Sequence, residues 1–89
     1  MRVERARTSL AAKGFWEEKR DHYRFFYEHD GKRVGIHTKF SFGQQISKYQ
    51  LRWMCKQLRL PDLEHLERLL SCKMTGDEYR DFLHRQGVL

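Results

Sequence analysis

The sequence predicts an α+β fold in which a three-stranded antiparallel sheet carries helices on one face. Aromatic and charged residues alternate over residues 22–29 and, less regularly, over 32–40, which is typical of half-buried strands. Asp30-Gly31 lies between these two runs and favours a tight hairpin turn. Leucines recur at helical spacing after residue 46, so we expect helices to follow the sheet.

The composition indicates a small folded domain. The chain has 89 residues, a length typical of one domain, and 39% of them are hydrophobic, which is enough for a compact core. Its net charge of +6 comes from 18 Lys and Arg against 12 Asp and Glu. Such a balance attracts polyanions, among which nucleic acid is the commonest in cells. Many small proteins share this charge and bind nothing anionic, so charge alone does not decide the function.

The two cysteines, Cys55 and Cys72, form neither a disulfide framework nor a zinc motif, because neither has a paired ligand nearby. We expect both to be small buried residues in helices. No apolar run is long enough to span a bilayer, and the charged amino terminus lacks a hydrophobic signal region. These features predict a cytoplasmic protein without membrane contact. The sequence indicates no cofactor.

The first helix is predicted over residues 2–13 and ends at Gly14, a suitable C-cap. Its inner stripe consists of Val3, Ala6 and Leu10, with Ala11 as a further candidate. Residues 14–20 then predict a short strand. Phe15 and Trp16 favour extended structure, and the charged residues after them suit an exposed sheet edge.

The hairpin turn predicts a register for the second and third strands. If Asp30 and Gly31 occupy the turn, His29 lies opposite Lys32 and Glu28 opposite Arg33. Unbroken pairing would then place Arg24 opposite His37, Phe26 opposite Gly35 and His22 opposite Lys39. The predicted core face carries Tyr23, Phe25, Tyr27, Val34, Ile36 and Thr38. The other face carries His22, Arg24, Phe26, Glu28, Arg33, Gly35, His37 and Lys39.

Three helices are predicted after the sheet. The first covers residues 46–59, with Ser47 as a possible cap, and Pro61 separates it from the second. Its core positions are Leu51, Met54, Cys55 and Leu58, and Ile46, Tyr49 and Trp53 extend the apolar arc. The second buries Leu63, Leu66, Leu69 and Leu70. Thr75 and Glu78 form a capping box for the last helix, which Gly87 ends.

His22 is the candidate catalytic residue, because histidine exchanges protons near neutral pH. RNA cleavage without a metal needs a general acid or base and a phosphate clamp, since the ribose 2′-hydroxyl is the nucleophile. The candidate nucleic-acid-binding residues on the same predicted face are Arg24, Phe26, Arg33, His37 and Lys39. An exposed strand histidine without a role is the commoner case. No metal site is expected, because Asp21 should point away from the two histidines.

The order Gly14-Phe15, His22, Asp30-Gly31 and a helix from Ile46 resembles the HicA-like toxins, which are small mRNA interferases of toxin–antitoxin systems. The resemblance covers residues 1–60 and implies an α-β-β-β-α core like the double-stranded-RNA-binding domain. It also implies RNA cleavage without a metal, His22 as the essential histidine, and a HicB-like antitoxin as a possible partner. Residues 61–89 would be a helical extension packed on the same single domain.

The chain departs from that family pattern at three places. Arg20-Asp21 stands where the family has Gly-Ser before the histidine, and Phe42 lies near the place of a second histidine. The helical extension is absent from the shortest toxins. The leading hypothesis is therefore an mRNA endoribonuclease with His22 as general acid or base. The alternatives are a non-catalytic module that binds RNA through the same basic face, and a protein-interaction domain.

Overall fold

The computed structural model describes residues 1–71 and 73–89, and it confirms the α+β class. The described residues form one antiparallel sheet with strand order β1-β2-β3, together with four helices. In chain order the elements are α1 (Val3–Ala12), β1 (Phe15–Lys19), β2 (Tyr23–His29), β3 (Lys32–Phe40), α2 (Lys48–Gln57), α3 (Leu63–Leu69) and α4 (Gly76–Arg85). Cys72 lies outside the described residues, whereas Cys55 is buried in α2 as predicted.

The predicted N-terminal caps of α2 and α4 are both confirmed. The Ser47 side chain accepts a hydrogen bond from the Gln50 amide at the start of α2. The Thr75 hydroxyl accepts from the Glu78 amide, and the Glu78 carboxylate accepts from the Thr75 amide, which completes the capping box of α4. Helix α2 is shorter at both ends than predicted, because Ser47 satisfies its first amides and the left-handed Arg59 (φ 63°) follows its end.

The hairpin turn is confirmed, but the predicted register holds only beside it. Asp30 and Gly31 both have positive φ, 53° and 76°, and the pairs His29–Lys32 and Glu28–Arg33 form as predicted. Beyond them β3 contains a bulge. Tyr27 lies opposite the segment 34–36, and the next pair is Phe26–His37.

The bulge shifts the later pairs by two residues, so every pair predicted beyond Glu28–Arg33 is wrong. Arg24 lies opposite Lys39 and not His37, and Phe26 lies opposite His37 and not Gly35. Phe25 and Tyr23 face Thr38 and Phe40, respectively. The cause is Gly35, whose φ of 82° is left-handed backbone that only glycine adopts at little cost.

The two predicted faces are nevertheless correct for the residues within β2 and β3; His22, which was predicted on the outer face, precedes β2. Side chains alternate along a strand with a period of two, so a shift of two residues leaves every side chain on its side of the sheet. The described core-face residues are buried at Phe25, Tyr27, Ile36 and Thr38 and half-buried at Tyr23 and Val34.

The helices cover this core face and leave the other face open. In α1 the predicted stripe Val3, Ala6 and Leu10 is buried, and Ala11 is exposed. Tyr79 of α4 is fully buried, with its ring 5.7 Å from that of Phe15 and 5.3 Å from that of Tyr27, measured between centroids. Helices α3 and α4 add Leu66, Leu69, Tyr79 and Leu83 to the core that contains the sheet residues. Residues 61–89 therefore lie on the side opposite the candidate site.

Tyr49 and Trp53 were predicted to extend the apolar arc of α2, and this prediction is wrong. Tyr49 is 72% exposed and Trp53 is 47% exposed. The inner side of α2 carries Met54 and Cys55, with Leu58 just beyond its end, and neither aromatic residue is three or four positions from any of them. The two large aromatic residues consequently face solvent.

Candidate nucleic-acid interface

The helix-free side of the sheet carries most of the predicted site residues. We call it the outer face and define it by Trp16, Glu18, Arg24, Phe26, Glu28, Arg33, His37 and Lys39. Six of these residues form two parallel rows across the three strands, and Glu28 and Arg33 form a further pair beside the hairpin turn. One row is Trp16–Phe26–His37, and the next is Glu18–Arg24–Lys39. The bulge at Gly35 creates these rows, because it moves His37 and Lys39 two positions along β2.

The first row is a continuous aromatic surface with a guanidinium above it. The rings of Phe26 and His37 are stacked, with centroids 6.0 Å apart and an interplanar angle of 28°. The Arg33 guanidinium carbon lies 4.2 Å from the Phe26 centroid and 4.7 Å from that of Trp16. Aromatic rings and arginine planes are the groups on which proteins stack unpaired bases. Trp16 is 49% exposed, so much of its ring remains accessible.

The second row brings together two cations that are suited to phosphate. Arg24 and Lys39 lie directly opposite each other on β2 and β3. Glu18 is the acidic residue of this row, and its carboxylate is already engaged by Arg20 at 2.6 Å and by Arg33 at 4.0 Å. Lys39 is exposed, and Arg24 is half-buried.

His22 does not lie on β2 opposite Lys39, as the predicted register required. It lies in the turn before the strand, where its carbonyl oxygen accepts a hydrogen bond from the Arg20 amide. This contact closes the β1–β2 connection and delays the start of β2 to Tyr23. The His22 side chain is about one-third exposed, at 35%. It thus lies at the end of the outer face, beside Arg24, and outside both rows.

Asp21 was expected to point away from His22, and this expectation is wrong. Its Oδ2 lies 3.2 Å from His22 Nδ1, and its Oδ1 accepts a hydrogen bond of 3.2 Å from Arg24. The hydrogen bond from Arg24 and, next, the contact with His22 hold the pKa of the Asp21 carboxyl below its ordinary value. The carboxylate is therefore ionised at neutral pH and faces the Nδ1 side of the imidazole, which leaves Nε2 for other contacts.

Two nitrogen atoms in this group are buried without a hydrogen-bond partner. They are His22 Nδ1, whose contact with Asp21 lacks hydrogen-bond geometry, and Arg24 Nε. Within residues 1–71 and 73–89, these are the buried side-chain nitrogen or oxygen atoms that have no such partner. Buried polar groups are nearly always satisfied, and exceptions often mark functional sites. Both exceptions belong to neighbouring candidate residues.

The other three histidines lie elsewhere. His65 Nδ1 is 2.7 Å from Asp62 Oδ1 at the start of α3, and this contact lowers the pKa of Asp62. His29 and His84 have ring centroids 5.7 Å apart, in an edge-on arrangement, near the hairpin turn. In the described part of the chain, no three or more His, Cys, Asp or Glu side chains form a cluster that could hold a metal ion.

Sequence reasoning missed two residues of the site, Trp16 and Asp21. Trp16 could have been found by pairing β1 with β2, because that pairing places it opposite Phe26. Asp21 could not be placed from alternation, since it lies in a turn where side chains do not follow the strand period. The contact with His22 is a product of the turn geometry.

No family model matches the chain, and no curated protein or solved structure matches it either. The resemblance to HicA-like toxins therefore stays a prediction from the sequence. None of the helices in the described ranges is both long enough and apolar enough to cross a membrane.

Proposed function

We propose that the outer face binds single-stranded RNA and that His22 acts as general acid or base in its cleavage, in the manner of the HicA-like toxins. The observation that carries the proposal is the His22–Asp21–Arg24 group, which lies at the end of a face that combines stacking rings with cations. The protein would work on RNA in the cytoplasm, and a HicB-like antitoxin would be its protein partner.

The binding part of the proposal rests on the two rows. Bases would stack on Trp16 and Phe26, and phosphates would contact Arg24 and Lys39. A single strand suits the site better than a duplex, because stacking requires bases that are unpaired and free to turn outward. The fold also supports this use, since the four helices of the described residues cover the opposite face.

The catalytic part rests on the His22–Asp21–Arg24 group. A neutral His22 would take the proton from the ribose 2′-hydroxyl. The 2′-oxygen then bonds to the adjacent phosphorus, and the bond from phosphorus to the 5′-oxygen breaks. The leaving 5′-oxygen takes a proton from water, and the protonated His22 returns its proton to the solvent. Arg24 would stabilise the charge that grows on the phosphate oxygens. Asp21 would hold the imidazole in position and stabilise its charged form.

Cleavage of a labelled single-stranded RNA by His22→Ala tests the catalytic part. We expect the wild-type protein to yield fragments that end in a cyclic phosphate, and the variant to be at least about 100-fold slower. His84→Ala, which changes an exposed histidine of α4, is the matched control and should cleave like the wild type. Catalysis by His22 is refuted if the wild type leaves the RNA intact or if His22→Ala cleaves it equally well.

A non-catalytic RNA-binding module is the second candidate, and one observation favours it. His37, the other histidine of the outer face, is stacked on Phe26 and belongs to the aromatic row. The site then has a single histidine for proton transfer. This candidate predicts that RNA affinity survives His22→Ala and falls in the double variant Arg24→Gln, Lys39→Gln. Equal affinity in that double variant would exclude both candidates.

Asp21→Asn separates positioning from binding. The amide keeps the size of the side chain but removes the charge that faces His22 and Arg24, so we expect slower cleavage without a loss of RNA affinity. Electrophoretic separation of the fragments and fluorescence anisotropy measure the two quantities independently. Equal cleavage rates for this variant and the wild type would remove Asp21 from the mechanism.

A further inference from the structure

The positive charge of the chain is concentrated in one continuous segment. Residues 31–61 contain seven Lys and Arg and no Asp or Glu. The rest of the chain carries eleven Lys and Arg against twelve Asp and Glu, so its formal charge is close to zero. The segment comprises β3, α2 and the residues that connect them. Arg33 and Lys39 belong to the outer face, and most of the remaining charge lies on α2.

Helix α2 presents this charge beside two exposed aromatic rings. Cations recur four residues apart, and Tyr49 and Trp53 form a second line next to them. We call this surface the α2 stripe and define it by Lys48, Tyr49, Arg52, Trp53 and Lys56. All five residues are exposed, and the Lys56 ammonium lies 5.3 Å from the Trp53 ring centroid. Residues four apart on a helix are separated by about 6 Å along its axis.

The α2 stripe adjoins the sheet along its β3 side. The Gln50 side-chain amide donates a hydrogen bond of 2.7 Å to the carbonyl oxygen of Lys39. Farther along the helix, the Thr38 hydroxyl donates to the Gln57 side chain, also at 2.7 Å. Since β3 is an edge strand, α2 lies next to the free edge of the sheet. An RNA strand that leaves the outer face at Lys39 would therefore reach the start of α2.

We propose that the α2 stripe is a second contact surface for single-stranded RNA, with bases stacked on Tyr49 and Trp53 and phosphates held by the three cations. This inference rests on the proposed RNA binding at the outer face and extends its path across β3. An acidic protein segment fits the stripe less well, because lysine is depleted in protein–protein interfaces and two of the three cations are lysines. Lysine is, by contrast, a regular contact for the nucleic-acid backbone.

The two tryptophans of the chain make the inference directly testable, since one lies on each surface. Trp53 is the sole tryptophan in Trp16→Phe, and Trp16 is the sole tryptophan in Trp53→Phe. Phenylalanine keeps a ring for stacking in both variants. Each is titrated with oligouridine of about 12 nucleotides, a length within the usual range of single-strand sites. We expect quenching of tryptophan fluorescence in both variants.

Salt dependence in a charge variant supplies the second measurement. Lys48→Gln, Arg52→Gln and Lys56→Gln together should lower the slope of log affinity against log salt by about 2, because three phosphate contacts are lost. The matched control changes three exposed cations on the α3–α4 side, Arg68, Lys73 and Arg85, to glutamine. This control should keep the wild-type slope. In the Trp16→Phe background, Trp53→Ala should weaken binding at least about fivefold relative to Trp53→Phe.

The outcomes separate this inference from the proposed function. If only Trp16 is quenched and the salt slope of the α2 variant is unchanged, RNA binds the outer face alone and the inference is overturned. An acidic protein would then be the remaining candidate ligand of the α2 stripe. Quenching of Trp53 alone supports the stripe and overturns RNA binding at the outer face. No quenching in either variant, with no measurable affinity at low salt, overturns both.

Discussion

Tyr79 joins the last helix to the sheet, and its replacement tests whether residues 61–89 are a separable extension. The side chain is fully buried, and its hydroxyl donates a hydrogen bond of 2.8 Å to the carbonyl oxygen of Leu58. Burial raises the pKa of this hydroxyl well above its ordinary value, so it stays a donor throughout the accessible pH range. Its ring contacts Phe15 and Tyr27 from two different strands.

The magnitudes follow from these contacts. Tyr79→Phe keeps the ring but leaves a buried carbonyl oxygen unpaired, which costs about 1–3 kcal/mol. Tyr79→Ala removes the ring and creates a cavity, and such changes cost about 3–5 kcal/mol. A chain of this length has an unfolding free energy of about 5–13 kcal/mol. The alanine variant therefore loses a large share of the stability although residue 79 lies outside the 1–60 core that the family resemblance implies.

Urea unfolding followed by circular dichroism measures both costs. Tyr49→Ala is the matched control, because Tyr49 is a tyrosine on a helix surface and its loss should change stability by less than about 0.5 kcal/mol. By the same reasoning, a fragment of residues 1–60 should not fold. If the fragment folds cooperatively, or if Tyr79→Ala lowers the unfolding free energy by less than about 1 kcal/mol, residues 1–60 form an independent core that does not need the last two helices.

Two further predictions concern local structure. The amide and then the hydroxyl of Thr75 lower the pKa of Glu78 from its ordinary value of 4.5. The ionised Glu78 of the capping box therefore stabilises the fold fully above its ordinary pKa, and this stabilisation is lost as the pH falls through the lowered pKa of the folded protein. At neutral pH, Glu78→Gln should have a lower melting temperature than the wild type. When the pH is lowered to the acidic range, the melting temperature of the variant should fall by less than that of the wild type. An equal fall in the two proteins would contradict the prediction. Gly35→Ala should cost about 1–2 kcal/mol in urea unfolding, because φ is 82° there, although the added methyl group meets no neighbour. No loss of stability in that variant would mean that the bulge tolerates an ordinary backbone conformation.

The hairpin shows how much of the site follows from local sequence patterns. Asp30-Gly31 is sufficient to predict the turn and the first two pairs, and alternation is sufficient to predict which side chains face the core. The bulge at Gly35 is not predictable by the same reasoning, since an isolated glycine in a strand also fits regular pairing. The missed bulge therefore changes which residues lie opposite each other on β2 and β3, but it does not change the side of the sheet on which each side chain lies. Lys39, not His37, is therefore the partner of Arg24.

Helix α2 shows a different kind of error, in which hydrophobicity is followed and helical spacing is not. Tyr49 is three residues from Arg52 and Trp53 is three from Lys56, whereas neither ring is three or four residues from a core position of the helix. The two rings therefore share the cationic side of α2, and Met54 and Cys55 face the core. The charges on either side of these rings are the sequence signal for exposure. A line of cations four residues apart does not fit a helix face that packs against a core.

The two exposed surfaces share a structural cause that bears on function. Helices α1, α3 and α4 supply core residues that bury one face of the sheet, and α2 completes the cover at the β3 edge. The outer face is then left without a covering element, and α2 is left with a face that no other helix of the described chain buries. Large rings stay exposed at Trp16 on the sheet and at Tyr49 and Trp53 on the helix. Exposed apolar groups that are gathered in one region are typical of interaction surfaces, and these rings with their neighbouring cations are the groups that the proposed RNA contact would use. RNA that contacted both surfaces would pass Lys39, so Lys39→Gln should weaken both contacts at once.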